Sequence, residues 1–343
     1  MSAPAVIAVD GGNSKTDLAL VAADGAVLSL VRGAPSSPHH LGLDGALLVV
    51  EGLLDEAIRE AGLTRSNGQP ADVAQLLMAG VDFPSEEDAL RDAVGARGWA
   101  KRVGVGNDTF AVLRAGTARG WGVAVTCGAG INCVGVAPDG RHARFPALGS
   151  ITGDWGGGYD LGLAAVSAAA RSEDGRGPRT SLERAVPAHF GLKTPTELAE
   201  AIHLGRIDQR RVIELAPLVL AEAADDAVAA AIVQRLADEV VALARVALTR
   251  LDLTDEPVEV LLGGGVLQDA DGDVLGAIES GLREIGAAIS VRPTASPAIV
   301  GAALLGLDEL SADDATQERL RRELGAAFER LDGVPELRRS SVG

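Results

Sequence analysis

An order of elements that occurs twice constrains the fold of this chain more than any other feature. Residues 6–31 read as strand, polar glycine loop, strand, Asp-Gly turn and strand, which is typical of an antiparallel meander. Nearly the same order and spacing return over residues 123–145, although few residues are identical. We therefore expect a duplicated chain in which each copy builds a similar unit.

Helical and strand periodicities alternate along the rest of the sequence and predict an α/β chain. The second half is mainly helical, and the long stretch 210–250 has candidate breaks only at Pro217 and 224–226. We expect domains at 1–116 and 117–331 and a tail at 332–343. The other predicted strands are 73–79, 102–105, 258–262 and 288–291, and the other predicted helices are 44–61, 86–97, 161–171, 182–190, 196–202, 274–285, 298–307 and 312–331.

Composition excludes several classes of function. The 31 basic and 48 acidic residues give a net charge of −17, spread along the chain, which argues against a nucleic-acid or anionic-membrane partner. No apolar run approaches the roughly 20 residues of a membrane span, and the first residues lack signal-peptide features, so we expect a cytoplasmic protein. Cys127 and Cys133 read as small buried hydrophobic residues. The 43 glycines have to be placed in turns or sites.

The first polar loop, residues 10–16, has the composition of a phosphate-binding turn. Its glycines let backbone N–H groups approach phosphate oxygens, its hydroxyls can donate, and its lysine supplies positive charge. The loop matches neither the P-loop nor the dinucleotide-binding pattern, and an ordinary Gly-Asn hairpin turn is the alternative. The candidate ligand-binding residues here are Gly11, Gly12, Asn13, Ser14, Lys15 and Thr16.

Three further glycine-bearing segments follow predicted strands or the second meander. Residues 128–132 occupy the duplicated position, with a tight turn as the alternative. Residues 263–265 suggest backbone packed against a flat ligand, or a plain strand-to-helix turn. Residues 153–160 combine acidic groups with a run of glycines, which suggests a pocket for hydroxyl groups, or a flexible loop.

Asn107 and Asp108 follow a predicted strand and open a helix. A carboxylate at this place could accept a proton from a substrate hydroxyl as a general base, while a simple N-cap is the alternative. His39 and its neighbour His40 follow Pro38 in a polar loop, where they read as a substrate-loop pair or as exposed histidines without a role.

Together, in this order and spacing, these segments resemble the sugar-kinase/Hsp70/actin superfamily and, within it, the BadF/BadG/BcrA/BcrD ATPase family, which includes N-acetylglucosamine kinases. The resemblance covers roughly residues 5–307 and includes 297–303 as a terminal helix. It implies two ribonuclease-H-like domains of the actin and hexokinase type, with a nucleotide cleft between them.

The resemblance also implies a role for each segment. Segments 10–16 and 128–133 would be phosphate motifs, 263–265 the adenosine motif, Asp10 the residue that holds Mg²⁺ and Asp108 the catalytic base. The resemblance implies ATP, Mg²⁺ and a small-molecule sugar as ligands, and it is compatible with a homodimer. The residues implied in nucleotide binding beyond the first loop are Gly128, Ala129, Gly130, Gly263, Gly264 and Gly265, and those implied in sugar binding are Ser37, His39, Asn107, Asp108, Asn132, Gly153 and Asp154.

Four residues depart from the family pattern. Ala129 and Ile131 replace hydroxyl residues of a Gly-Thr-Gly-Ser-Asn motif, Ser37 replaces an asparagine in Ser-Asn-Pro-His, and Trp155 stands where sugar kinases commonly carry glutamate. These differences bear on substrate identity more than on reaction type.

The implied reaction is ATP-dependent phosphorylation of a hydroxyl, with O6 of N-acetylglucosamine as the first expectation. Glucosamine, another hexosamine or a cyclitol is the alternative acceptor. Two other classes stay open, namely an ATPase that activates a partner enzyme and a nucleotide-binding regulator without catalysis. In the family's activators, cysteines bridge an iron-sulfur cluster across a dimer. Cys127 and Cys133 are instead predicted to lie on adjoining strands of one hairpin.

Overall fold

The chain folds into two units, and each unit contains one five-stranded sheet. Residues up to Ala118 together with those from Ser296 onward form unit 1, and Arg119–Ala295 form unit 2. The structure is a computed structural model that describes residues 4–64, 71–268, 270, 272–294 and 296–332. The expected tail therefore lies outside the described residues, apart from residue 332.

The described residues form strands and helices throughout both units. The strands are β1 (Val6–Gly11), β2 (Thr16–Val21), β3 (Val27–Gly33), β4 (Ala71–Met78), β5 (Ala100–Gly106), β6 (Gly122–Cys127), β7 (Ile131–Val136), β8 (His142–Arg144), β9 (Glu259–Gly263) and β10 (Ser290–Pro293). The helices are α1 (Pro38–Glu60), α2 (Pro84–Arg97), α3 (Asp108–Gly116), α4 (Gly157–Glu173), α5 (Leu182–His189), α6 (Pro195–His203), α7 (Ala216–Glu222), α8 (Ala227–Arg250), α9 (Gly265–Gln268), α10 (Gly272–Arg283), α11 (Ala298–Asp308) and α12 (Asp314–Asp332).

The two sheets have the same strand order, as the repeat predicted. It is β3-β2-β1-β4-β5 in unit 1 and β8-β7-β6-β9-β10 in unit 2. In each unit the first three strands pair antiparallel and the last two join in parallel. This is the ribonuclease-H-like arrangement, and the predicted duplicated α/β fold is confirmed.

Strand β1 is covered on both faces, which explains its unbroken apolar sequence. Ile7 and Val9 belong to a core with α1 and α2, whereas Val6 and Ala8 belong to a core with α3, α11 and α12. Because side chains alternate along a strand, one short sequence serves both helix layers. The sheet of unit 1 thus lies between two layers of helices.

The C-terminal helices correct the predicted domain limits. The sequence placed 117–331 in one domain, but α11 and α12 pack within unit 1. Arg114 of α3 pairs with both carboxylate oxygens of Asp308, at 2.7 and 3.0 Å, and donates to Gln317 of α12 at 2.6 Å. Arg114 and Asp308 lie 194 positions apart, a separation that local periodicity cannot bridge.

The helical stretch of unit 2 breaks at 224–226, as predicted. Helix α8 begins at Ala227, and the Asp226 side chain accepts hydrogen bonds from the Val228 and Ala229 amides, which is the usual chemistry of an N-cap. Pro217 lies in the first turn of α7, and residues 209–215 form a separate 3-10 helix. None of the described helices combines the length and the apolar content that a membrane crossing requires.

Gly301 marks a close approach between α11 and α3. A Cβ atom there would collide with the carbonyl oxygen of Ala111. We expect Gly301→Ala to lower the free energy of unfolding by about 1–3 kcal/mol, because the helices must separate to admit the methyl group. Gly52→Ala in α1 is the matched control, since a Cβ there meets nothing within 4 Å, and it should stabilise by up to about 1 kcal/mol. Urea unfolding followed by circular dichroism measures both, and equal effects would contradict the packing argument.

Candidate active site

Acidic residues gather at the carboxyl edge of the parallel strands in unit 1. Asp10 is the penultimate residue of β1, Asp82 follows β4, and Asp108 is the first residue of α3, directly after β5. Strands β1, β4 and β5 run in parallel, so their carboxyl ends lie at one edge of the sheet. This is the edge where open α/β sheets usually bind ligands.

Three charged residues lie side by side across the meander of unit 1. Asp10 pairs in register with Asp17, and Asp17 pairs in register with Arg32. The Arg32 Nε and Nη2 atoms donate to the two oxygens of Asp17, at 2.6 and 3.0 Å, and the Lys15 Nζ lies 3.9 Å from the same carboxylate. Adjacent carboxylates repel each other, and the guanidinium is committed to Asp17 rather than to Asp10.

The environment raises the pKa of both acids at this edge. Burial, together with the negative charges of Asp108 and Asp17, raises the pKa of Asp10 to about 8, although Lys15 and Arg32 act in the opposite direction. Burial also raises the pKa of Asp108 to about 6, against hydrogen bonds from backbone N–H groups at the start of α3. Strongly perturbed acids that share one edge are typical of functional sites.

The donor set around Asp10 fits a hard divalent cation. Carboxylate oxygens are the ligands that Mg²⁺ prefers, and the Asp10 carboxylate lies in register with that of Asp17. Among the predicted site residues, Asp10 is therefore the one whose surroundings suit the metal role that the sequence suggested.

The turn between β1 and β2 presents polar side chains to solvent. The Gly12 N–H donates to the Lys15 carbonyl at 2.9 Å, which closes the turn, and Asn13, Ser14 and Lys15 are exposed. Gly11 is buried against Ser36 and Met78. The side chains exposed in this turn are those of Asn13, Ser14 and Lys15, and the phosphate-binding role of the loop stays a prediction.

Thr16 departs from the expectation of a phosphate contact. Its side chain is buried, and its hydroxyl hydrogen-bonds to the Ala34 carbonyl and to the Ser36 Oγ, each at 2.7 Å. The hydroxyl therefore ties the turn to the chain that follows β3. Within unit 1 it anchors the loop rather than facing a ligand.

The N-cap of α3 is Asn107 and not Asp108. The Asn107 Oδ1 accepts the Thr109 N–H at 2.9 Å, while its Nδ2 donates to Asp82 at 2.7 Å. The capping role that competed with a catalytic role for Asp108 thus belongs to its neighbour. Asp108 lies in the first helical turn, where the helix dipole favours its charged form.

Asp82 and Glu86 are candidate residues that sequence reasoning missed. The Glu86 carboxylate accepts the N–H groups of Asp82 and Phe83, at 2.8 and 2.9 Å, and lies 3.6 Å from the His39 Nε2. Ligand atoms of His39, Asp82 and Glu86 lie within 4.8 Å of one another. An imidazole nitrogen suits Mg²⁺ poorly, so we regard this cluster as a place for hydroxyl groups. Asp82 follows the buried strand β4, and that signal could have found it.

Ser37 and His39 lie at the start of α1 but differ in exposure. Ser37 is fully buried, and its hydroxyl has no hydrogen-bond partner among the described residues. His39 is exposed, and its ring lies where a Cβ on Gly80 would stand. The structure therefore brings His39, and not the Ser37 hydroxyl, to a surface that a ligand can reach.

In unit 2, the loop after β6 is fastened to the start of α4. The N–H groups of Gly158 and Tyr159 donate to the carbonyls of Gly128 and Ala129, at 2.8 and 3.1 Å. Gly128 and Gly130 have nothing within 4 Å of a Cβ position and no left-handed φ. Neither packing nor backbone conformation requires glycine at these two positions.

The segment 263–265 divides into residues of different character. Gly263 ends β9 and Gly265 begins α9, with open space around a Cβ on Gly265. Gly264 has a φ of +83°, and a Cβ there would collide with the backbone of Cys127. For Gly264 the turn geometry is therefore a sufficient reason for glycine, whereas for Gly265 it is not.

The polar groups predicted in the segment around Asp154 are mostly engaged within unit 2. The Asp154 carboxylate accepts the Gly149 N–H at 2.6 Å and the Thr152 hydroxyl, so it closes its own loop. The Asn132 Oδ1 accepts the Cys133 N–H at 2.7 Å. Gly153 has a φ of +85° and open space beside it. These residues form a polar surface, but only part of their hydrogen-bonding capacity is left for a ligand.

Trp155 lies beside a cavity in unit 2. The Arg235 guanidinium carbon lies 4.0 Å from the centroid of its ring, a cation–π contact between the segment before α4 and helix α8. The cavity, of about 510 Å³, lies between α4 and α8. Trp155 thus points away from the polar contacts of Asp154 and packs against a helix.

Both cysteines are buried, as the sequence predicted. The pKa of the Cys127 thiol is raised to about 12 by burial, and burial also raises the pKa of Cys133. The Cys127 Sγ accepts the Gly157 N–H at 3.1 Å. Both therefore act as small core residues rather than as reactive thiols.

Comparison with known proteins identifies the family. A sequence model of the BadF/BadG/BcrA/BcrD ATPase family matches residues 7–306. The chain belongs to this family. The match covers β1 through most of α11, and α12 lies beyond it.

Two proteins similar to this chain are named as kinases of N-acetylated sugars. An N-acetylmuramic acid/N-acetylglucosamine kinase from Clostridium acetobutylicum is 28% identical over 77% of this chain and 86% of its own length. An N-acetyl-D-glucosamine kinase from Dictyostelium discoideum is 26% identical over 65% of this chain and 72% of its own length. The crystal structure of a candidate N-acetylglucosamine kinase from Chromobacterium violaceum is 27% identical, with a TM-score of 0.71, and the alignment covers 88% of this chain and 98% of that one.

The crowding of carboxylates around Asp10 has a measurable cost in the metal-free protein. We expect Asp10→Asn to raise the melting temperature in EDTA at neutral pH by about 2–4 °C, because a carboxyl group with a pKa of about 8 must take up a proton on folding, whereas the neutral amide need not. Added Mg²⁺ should raise the melting temperature of the unmodified protein and leave that of the variant nearly unchanged.

The control for this measurement is Asp24→Asn, in the turn between β2 and β3. The Ala26 N–H and the Arg319 side chain lower the pKa of Asp24, so its loss should lower the melting temperature slightly. Differential scanning fluorimetry measures all three proteins. A lower melting temperature for Asp10→Asn in EDTA would contradict the picture of an uncompensated acid.

Proposed function

We propose that this protein is an ATP-dependent kinase that phosphorylates a hydroxyl group of an N-acetylated amino sugar, with O6 of N-acetylglucosamine as the first candidate. The observation that carries the proposal is the position of Asp108, an acid with a pKa of about 6, beside Asp10 at the carboxyl edge of one sheet. The names of the relatives support a kinase of N-acetylated sugars.

Asp108 is the proposed general base. A pKa of about 6 leaves it mainly ionised at neutral pH, yet more basic than an ordinary aspartate. It would accept the proton of the attacking hydroxyl as the phosphoryl group is transferred. Asn107 caps the helix and donates a hydrogen bond to Asp82. It therefore positions Asp108 without competing for the proton.

The nucleotide phosphates are proposed to bind to backbone and charge rather than to a dense set of side chains. In unit 1, Asn13 and Ser14 of the turn offer exposed polar groups, and Lys15 offers a positive charge, while Gly12 closes the turn. When bound, Mg²⁺ would neutralise developing negative charge on the phosphates, and Asp10 would hold it. The buried Thr16 side chain would anchor the turn.

Unit 2 supplies its own proposed contacts to the nucleotide. Gly128 and Gly130 offer backbone that a ligand can approach closely, which compensates for the hydroxyl residues missing at Ala129 and Ile131. Gly263, Gly264 and Gly265 would face the adenosine. The roles within this group rest on open space at Gly128, Gly130 and Gly265 rather than on their side chains.

The sugar is proposed to bind at the polar surface formed by His39, Asp82 and Glu86. These groups lie close together and are held by their own hydrogen bonds, so they can accept and donate to sugar hydroxyls. Asn132, Gly153 and Asp154 are the corresponding proposals in unit 2. The Ser37 hydroxyl, buried and without a partner among the described residues, is not part of this proposed surface.

A partner-activating ATPase is the weaker alternative. That reading depends on cysteines that can reach a cluster, and here Cys127 and Cys133 lie buried on β6 and β7 of one hairpin. Their raised thiol pKa values oppose the thiolate form that a metal cluster requires.

The proposed function is tested by ADP release coupled to a panel of acceptors. The panel is glucose, glucosamine, N-acetylglucosamine, N-acetylmannosamine and muramic acid derivatives. We expect the highest kcat/KM with N-acetylglucosamine and no phosphorylation of its 6-deoxy analogue. Turnover with none of the acceptors would refute the kinase, and faster turnover with glucosamine would refute the preference for the N-acetyl group.

The role of Asp108 predicts a specific pH profile. A base must be deprotonated to act, so kcat should fall on the acid side below about pH 6, which is higher than an ordinary aspartate would give. Asp108→Asn should reduce kcat by about 10²- to 10⁴-fold with a melting temperature no lower than that of the unmodified protein. Asp174→Asn, an exposed acid that pairs with Arg176 in unit 2, is the control and should keep both kcat and the acid limb. An acid limb near pH 4 would show that Asp108 is not the titrating base.

A further inference from the structure

The last helix of the described chain is fixed onto the meander that carries the phosphate turn. Helix α12 lies outside the family match, yet Arg319 pairs with Asp24 at 2.7 Å and Glu323 accepts the Val27 N–H at 3.1 Å. Arg321 also donates to the Ala115 carbonyl at the end of α3, at 2.6 Å. The helix therefore joins the strand meander to α3, which begins with Asp108.

The buried face of α12 points one aromatic side chain at the phosphate turn. Leu320 and Leu324 are fully buried in the core of unit 1. Phe328 comes one turn after Leu324, so it lies on the same face of the helix. Two docked leucines and three polar contacts fix the position of this ring.

The Phe328 ring lies against two cations. The Lys15 Nζ is 5.1 Å and the Arg32 Cζ is 4.7 Å from the ring centroid. Arg32 already has a paired hydrogen bond with Asp17, whose side chain is 1% exposed. Lys15 has only a 3.9 Å approach to Asp17, and its side chain is 46% exposed. The ring is thus a more important neighbour for Lys15 than for Arg32.

An aromatic face is suited to hold a lysine that must still bind a ligand. The lysine stem has many rotamers, and fixing one of them costs conformational entropy when the ligand binds. A close carboxylate would fix the ammonium too, but it would compete with a phosphate for the charge. The neutral ring attracts the ammonium group weakly and restricts its position. The positive charge of the ammonium stays available to a phosphate.

We propose that Phe328 is a positioning residue that holds the Lys15 ammonium at the mouth of the phosphate turn. The inference rests on the proposed role of Lys15 in binding the nucleotide phosphates. It adds a residue from outside the family match to the nucleotide site of this chain.

Two variants of Phe328 separate its ring face from its bulk. Phe328→Leu keeps an apolar side chain in the core but removes the aromatic face, whereas Phe328→Tyr keeps the face. Isothermal titration calorimetry of the full chain with the magnesium complex of AMPPNP measures the dissociation constant. We expect Phe328→Leu to weaken binding by about three- to fivefold, the size of one partly exposed cation–π contact, and Phe328→Tyr to stay within about twofold.

A double-mutant cycle with Lys15→Met shows whether the effect passes through the lysine. In the Lys15→Met background, Phe328→Leu should cause no further loss of affinity. Phe145→Leu is the matched control in unit 2, where the ring lies 5.0 Å from the Arg250 guanidinium carbon, and it should not change nucleotide affinity.

Three results would overturn the positioning role. These are an equal loss in the Lys15→Met background, an equal loss for the tyrosine and leucine variants, and tighter binding by Phe328→Leu, which would make the contact an inhibitory one. Coupling between Phe328 and Lys15 in a protein that phosphorylates no sugar would uphold this inference and refute the proposed function. Sugar phosphorylation without that coupling would do the reverse.

Discussion

The register of three strands decides where charge lies in unit 1, and the candidate site follows from it. Asp10, Asp17 and Arg32 are neighbours across β1, β2 and β3, so they share one face of the meander. Arg32 relieves the repulsion at Asp17 through two hydrogen bonds. Asp10 receives less relief and its pKa stays raised, so a cation that binds beside it would favour its charged form. A site that is costly when empty has a built-in preference for its ligand.

The fold could be predicted because its signals are local. Apolar strands, Asp-Gly turns and their repetition are visible within short windows, and the two matching sheets confirm them. The position of Asp108 between a strand and a helix could be predicted for the same reason. The domain limits could not be found, because Arg114 and Asp308 meet across 194 positions. Sequence periodicity describes which face of a helix is apolar, but not which sheet that face covers.

The details of the candidate site depend on contacts that the sequence does not display. Ser14 and Thr16 are both hydroxyl residues of one loop, yet Ser14 is exposed and Thr16 is buried with its hydrogen bonds satisfied inside the unit. Glycines differ in the same way. Gly264 is required by a left-handed turn, whereas Gly128 and Gly130 are required by nothing in the protein itself. Only coordinates separate a glycine that serves the fold from one that leaves room for a ligand.

Unit 1 is discontinuous in the chain, and this affects the order in which the protein can be completed during synthesis. All of unit 2, residues 119–295, leaves the ribosome before α11 and α12 do. Until then Val6, Ala8, Ala19 and Val21 of the first sheet lack the helices that cover them. The unit that is encoded first is therefore the last to close. Lys15 receives its aromatic neighbour only at that moment, so nascent chains that stop early lack a finished phosphate turn.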